Sequence, residues 1–434
     1  MPRALTVLIL LLVTSSALRA QDSTRSYVLD KIFVEGNTVT KPFVILRELP
    51  FKSGDTVTTS ELEYGRERIY NTGLFTRVIL QPEPVNKTRM DLLIYVQERW
   101  YVWPYPVIGF WDGDLKRFYG GAGIADFNFQ GRNETLAGMF ALGYDPFGAV
   151  SLRDPSFGPD RNYILSIDAS YSHGRSFGIQ PGSASGQFND SFGDLQVALG
   201  RRFGIYSTLT FGASYNYVQA ISDSSGLVLS PTGKDIFGSL RLEYVYDSRN
   251  LRSYATRGAY LMVSLARHGL GESLVNFGRL SLDARDFQPI SKLFILASRI
   301  HADLAEGPQI PPYNYVFFGY GERIRGMFNT VSGGESMLGA NMELRIPIIK
   351  EMAIPIPDFP FRQYVSNRIS LYWSFFADAG ETTDKYLNLN FTRALYGYGG
   401  GLSLILPYDA VIQADYARGS DKQWEFILYL GATI

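Results

Sequence analysis

In the run DIFGSLRLEYVYDSR, Ile236, Gly238, Leu240, Leu242, Tyr244 and Tyr246 form one apolar set. The intervening positions carry Ser239, Arg241, Glu243, Asp247 and Arg249. Successive side chains of an extended chain point to opposite faces, so this run has one apolar and one charged face. The pattern returns with Leu280, Leu282 and Ala284 against Arg279, Ser281, Asp283 and Arg285. It returns again with Leu338, Ala340, Met342, Leu344 and Ile346 against Gly339, Asn341, Glu343 and Arg345. The last run places Trp424, Phe426, Leu428, Leu430 and Ile434 on one face. Between Trp100 and Ile434 roughly 16 such runs of about ten residues follow one another without a helical period.

A soluble sandwich also alternates. Strong charges in the middle of long strands favour a membrane barrel, whose polar face lines a wet lumen while lipid takes the apolar face. The 43 glycines, 28 tyrosines and 29 phenylalanines fit that class, and the chain has no cysteine. No apolar run after the N-terminus is long enough for a membrane helix, and only helices and closed barrels satisfy their backbones in lipid. The start itself reads as a secretion signal over residues 1–20, with Arg3, the apolar stretch Ala4 to Val13, and Ala20 before a cleavage point. A net charge of −1 gives no argument for nucleic-acid binding, which wants a basic face.

Residues 26–98 have a different texture. YVLDKIFVEGN alternates and ends in a turn, and KPFVILRELP reads as a short helix between Pro42 and Pro50. A second helix, over TTSELEYGRERIYNTG, has Thr59 or Ser60 as its N-cap and Gly73 as its C-cap. Two strands follow. The order β-α-α-β-β makes a small α+β unit ahead of a barrel over residues 101–434. Trp100, Tyr101, Trp103 and Tyr105 at the junction read as part of an interfacial aromatic girdle. If the first strand runs outward, the short connections QGRN, QPIS and LPYD are periplasmic. The longer ones, around 174–189, 221–234, 305–335 and 380–393, are then extracellular, with 350–367 an exception on the periplasmic side.

VEGN and YNTGLFTRV in the small unit are followed by YDSRN (Tyr246 to Asn250) and IRGM (Ile324 to Met327). Then come GGESMLGANMELRIPI (Gly333 to Ile348), FFADAGE (Phe375 to Glu381) and GYGGGLSLILP (Gly397 to Pro407). Together these marks resemble the BamA/TamA-like superfamily of outer-membrane assembly proteins, and the small unit resembles its POTRA domain. The resemblance implies that the loop between strands 11 and 12 folds into the lumen. Its Ile324-Arg325-Gly326-Met327 motif then places Arg325 against acids of the following strands. Parity supplies Glu343 and Asp378 as partners, while Glu322 and Arg323 read as ordinary loop charges and GYGGG as tight packing within strands.

Pro104 and Pro106 lack backbone donors. The seam of residues Pro104, Pro106, Val107 and Gly109 against Phe426, Leu428 and Leu430 is therefore expected to be weaker than its neighbours. The resemblance implies a lateral gate there, through which client strands pair. It also implies insertion or translocation of unfolded outer-membrane or secreted polypeptides, with periplasmic chaperones or lipoproteins as further partners. It departs from the family in having one POTRA-like domain, in Met327 where an aromatic is commoner, and in Ile434 at the end. A polypeptide secretion pore or passive channel is the alternative function. His173, His268 and His301 lack a hydrolase motif, and no metal or cofactor pattern is present.

Overall fold

The computed structural model describes residues 26–434 except 87, 111–115, 145, 178–186, 221–225, 272–273, 320, 354–367, 384–392, 407–409 and 432–433. The signal segment and most of the 350–367 connection lie outside the described residues. The first unit contains β1 (Ser26–Glu35), α1 (Pro42–Leu46), β2 (Thr56–Thr58), α2 (Thr59–Tyr70), β3 (Phe75–Pro84) and β4 (Arg89–Glu98). Its sheet order is β2-β1-β4-β3, with β1 and β4 parallel. The helices cover a core that includes Leu29, Ile45, Ile69, Leu74, Leu92 and Ile94.

Three local expectations change, the first being that α2 is capped at its C-terminus by Asn71, two residues before Gly73. A three-residue strand, β2, separates the helices and is too short to show a period of two. The α2 cap is Thr58, one residue earlier than expected. Its hydroxyl accepts from the Glu61 N–H, and the Glu61 carboxylate accepts from the Thr58 N–H at 2.8 Å. Thr58 and Glu61 therefore satisfy each other's otherwise orphaned donors.

The larger sheet has sixteen strands. They begin with β5 (Val102–Phe110), β6 (Phe118–Phe129), β7 (Glu134–Gly143), β8 (Phe147–Phe157), β9 (Tyr163–Phe177) and β10 (Gln187–Phe203). They continue with β11 (Ser207–Ala220), β12 (Lys234–Asp247), β13 (Gly258–Leu270), β14 (Phe277–Pro289) and β15 (Ile295–Glu306). A two-stranded ladder, β16 (Val316–Phe318) with β17 (Ser332–Gly334), lies within the next loop. The sheet resumes with β18 (Ser336–Ala353), β19 (Arg368–Thr383), β20 (Leu395–Ile405), β21 (Val411–Gly419) and β22 (Trp424–Leu430). Each strand pairs antiparallel with the next in this meander. The fold is the barrel that the alternation and the mid-strand charges together favoured.

Parity sorts the wall as lipid and lumen demand. Met342 is 55% exposed and its neighbour Glu343 is fully buried; Phe375 is 52% exposed and Phe376 is buried. Ile434 departs from this. Alternation stops at Leu430, Gly431 takes φ +119°, and Ile434 is buried with Ala255, Phe287 and Ala297 instead of facing lipid with Leu430. Its carbonyl accepts from Arg345 Nη2 at 3.3 Å.

The helical side of the first unit rests on four turns of the barrel. The Lys41 N–H donates to the Gly131 carbonyl at 2.8 Å, and the Arg161 guanidinium lies 4.0 Å over the Phe43 ring. Glu48 accepts from Arg202 at 2.6 Å and from Arg68 at 2.8 Å. Burial opposes the Glu48 charge, but the two arginines outweigh it and hold the carboxyl below its ordinary range. In the turn after β12, Asn250 accepts from the Thr256 and Arg257 N–H groups, while its own carbonyl accepts from Asn71 at 2.7 Å. The YDSRN segment thus shapes a turn on which the small unit sits.

Candidate functional site

Residues 307–335 connect the eleventh and twelfth strands of the barrel. Phe318, Ile324 and Met327 from this loop pack with Met337 of β18 in a small apolar core. That core carries the loop inward and leaves Arg325 only 3% exposed. Arg325 Nε and Nη2 donate to the two oxygens of Asp378 at 2.7 and 2.8 Å, and Nη1 donates to Glu343 Oε2 at 2.6 Å. The Arg325 N–H adds a bond to Asp378 at 3.1 Å, and the guanidinium lies 3.7 Å over the Phe376 ring.

The wall explains this geometry. Asn341 pairs with Asp378 and Glu343 with Phe376, so both carboxylates share the lumen face on adjacent strands, offset by one two-residue step. A planar guanidinium can meet two such carboxylates at once, which an ammonium cannot. Glu343 also accepts from Arg345 Nε at 2.9 Å and from the Tyr254 hydroxyl at 3.3 Å. The acid is therefore shared by two buried arginines, and Arg345 is itself stacked 3.9 Å over Tyr254.

Glycine makes the approach possible. Gly326 adopts φ +87°, and a Cβ there would lie 2.8 Å from the Arg418 carbonyl carbon. A Cβ at Gly397 would come within 1.8 Å of the Arg325 carbonyl oxygen, and one at Gly419 within 2.1 Å of the Gly326 oxygen. Gly397, within GYGGG, thus makes room for the loop, a role that strand-to-strand packing alone did not reveal. Gly397 lies within β20, and no local pattern marks this role, because which wall the loop meets depends on its folded path.

Glu322 is the larger correction. It is not an ordinary loop charge: it accepts from Arg299 Nη1 and Nη2, both at 2.8 Å. Arg299 donates in turn to Asp283 at 3.1 and 2.9 Å, and Asp283 also accepts from Arg285 at 3.0 and 2.7 Å. The loop therefore gives an anion to one part of the wall and a cation to another. Arg323 is exposed and lies 4.7 Å over the Phe328 ring.

At the seam, Pro104 and Pro106 lie inside β5, opposite Ile124 and Ala122 of β6; Val107 and Gly109 lie opposite Gly121 and Tyr119. Phe426, Leu428 and Leu430 of β22 lie opposite Tyr416, Ala414 and Ile412 of β21. Among the described residues β5 and β22 are the two ends of the sheet order, with no ladder between them. In the sheet order β20 and β21 lie between β19, which carries Asp378, and the seam strand β22.

Sixteen strands with a lipid-facing apolar surface, a charged lumen and a small α+β unit beneath define an outer-membrane β-barrel with a periplasmic N-terminal domain. Residues 128–432 match the Omp85 superfamily domain, and residues 27–99 match POTRA, the surface antigen variable number repeat. The chain belongs to the Omp85 superfamily. It is 24% identical over 246 residues to the outer membrane protein assembly factor BamA of Nitratidesulfovibrio vulgaris, covering 53% of this chain and 28% of that protein. It is 35% identical over 77 residues to BamA of Neorickettsia risticii, covering 18% of this chain and 10% of that one. The chain thus spans under a third of either relative in the aligned region. In fold it is similar to BamA from Haemophilus ducreyi lacking POTRA domains 1–3, with a TM-score of 0.54 and 19% identity over 94% of this chain and 84% of that one. It is also similar to CdiB from Escherichia coli, with a TM-score of 0.55 and 12% identity over 93% and 75%.

Proposed function

We propose that this protein inserts or translocates unfolded polypeptides at the outer membrane through the seam between β5 and β22. On this reading residues 1–20 are the export signal, 26–98 the periplasmic unit and 101–434 the membrane unit. The observation that carries it is the pair of strand ends that no ladder joins among the described residues. Unpaired backbone groups are costly in lipid, so such an edge is a template for another extended chain. Pro104 and Pro106 share parity and therefore withhold their donors on one side of β5, which weakens closure without stopping the β6 register. A client strand pairs there by β-augmentation, and the Arg325 loop braces the wall that must not move. The periplasmic unit, fixed to four turns, offers its outer surface to chaperones or lipoproteins that deliver clients.

The test uses the cysteine-free chain in liposomes with an unfolded outer-membrane barrel as client. Cysteines introduced in β5 and β22 lock the seam when oxidised. The reading expects folding assistance to fall on locking and to return on reduction. Unchanged assistance with a locked seam overturns it, as does a large steady conductance in planar bilayers with no assistance at all. The second result assigns the chain to a pore.

A further inference from the structure

We propose that Glu425, on the last strand, is a positioning residue that ties the Arg325 loop to the seam, so that displacement of β22 is felt by the loop. This inference rests on the reading of loop and seam above. Glu425 Oε2 accepts from the backbone N–H of Phe328 at 2.8 Å, and Oε1 accepts from Asn329 Nδ2 at 3.4 Å. Both donors immediately follow the Ile324 to Met327 motif. Met327 itself reaches the hairpin that joins β21 to β22. A Cβ at Gly419 would meet its sulfur at 2.3 Å, and the Ser420 hydroxyl lies 3.5 Å from that sulfur.

Residues 325–329 are thereby held at two ends. One end is the buried bidentate clamp of Arg325 on Asp378 and Glu343, in β18 and β19. The other is Glu425, in the strand that ends the sheet. The clamp is buried and charge-paired, whereas Glu425 is partly exposed and binds neutral donors, so the β22 end is the one that releases first. The strand needs such support. Among the described residues β22 has a ladder with β21 alone, seven residues long, and its lipid face is among the most exposed of the wall. From the lumen face it is also held by the Tyr429 hydroxyl, which donates to Asp415 Oδ2 at 2.9 Å. That bond joins β22 only to its own neighbour. The Glu425 bonds reach the loop and, through Arg325, connect the edge to β18 and β19.

The readout is the rate at which an impermeant maleimide labels Met327→Cys, a position buried while the loop is seated. It is measured with the seam free and with it locked by a β5–β22 cysteine pair chosen by scanning for efficient oxidation. With Glu425 present, locking slows labelling. Glu425→Ala is expected to raise the rate about two- to tenfold, the range for loss of one or two modest hydrogen bonds. It is also expected to make labelling indifferent to the lock. Glu425→Gln keeps an acceptor oxygen and should retain the dependence. Each variant is first shown to be folded by heat-modifiable gel mobility; if the alanine variant fails, Glu425→Ser replaces it. A lock effect of equal size with and without Glu425 overturns the proposal, as does labelling unchanged by the substitution. The readout needs no client. Failure of client folding with the lock dependence intact sinks the function and leaves the tether, while the opposite pattern sinks the tether alone.

Discussion

The β18–β19 wall and the β5/β22 seam belong to one sheet and are built oppositely. β18 and β19 have 18 and 16 residues, whereas β5 and β22 have nine and seven. The long pair carries Glu343 and Asp378, which fix the loop through Arg325. The short pair carries two prolines, and among the described residues neither strand has a second ladder partner. Ionic cross-links are thus placed where the wall is already strong, and the edge is left with few bonds to break. On the proposed reading, a barrel arranged this way changes at its seam while its lumen stays organised, because local opening starts where bonds are few and exposed.

The strongest way to break this contrast is Arg325→Ala. It leaves Asp378 and Glu343 buried without their main partner, and breaking a buried pair in this manner costs about 3–5 kcal/mol. The folded barrel should lose thermal stability or lose the seated loop, read by heat-modifiable mobility and by protease access to residues 307–335. Arg323→Ala, whose side chain is exposed, should be close to silent in both measurements. Equal effects of the two changes would remove Arg325 from its special place. Arg325→Lys should recover part of the loss at most, since an ammonium cannot span both carboxylates.

Much of this was legible in the sequence, for a reason that also sets the limit. Parity along a strand is local: once Met342 and Phe375 are assigned to lipid, Glu343 and Asp378 must face the lumen, with no knowledge of the rest of the fold. Strand number follows from counting such runs, and the antiparallel meander from the short connections between them. What parity does not encode is the path of a loop. Glu322 looked like any solvated charge because its partner Arg299 lies 23 residues earlier and is reached only through the folded loop. Gly397 looked like strand packing because the object that needs its missing Cβ comes from residue 325. The end of alternation at Leu430 hid the burial of Ile434 for the same reason. Turn residues such as Asn250 were visible as a motif, but their partner Asn71 belongs to another unit.

Glu322→Gln sharpens the contrast from the other side. The amide keeps one acceptor for Arg299 and loses the second charged contact, while Asp283 remains. Because Glu322 is about one-third exposed, its pair is screened, and the expected loss is roughly 1 kcal/mol, well below that of Arg325→Ala. The check is a double-mutant cycle with Arg299→Gln, read as thermal stability of the folded band. A cycle energy near zero would show that the second ionic contact does not hold the loop, and that Arg325 alone carries the ionic part of its seating.

The smallest expected effect concerns the prolines. Replacing Pro104 and Pro106 with Ala adds two N–H donors to β5 and alters nothing in the lumen. The strand already keeps its register with β6 through both positions, from Val102↔Asp126 to Phe110↔Phe118. The new donors therefore matter on the opposite side, toward β22. Each restored bond contributes about 0.5–1.5 kcal/mol where it forms. The seam should then oxidise more readily across a β5–β22 cysteine pair, and client folding should slow by a few-fold, with overall barrel stability little changed. If the double substitution lowers barrel stability and leaves cross-linking untouched, the prolines serve the β6 side, and the weakness of the seam comes from the shortness of β22.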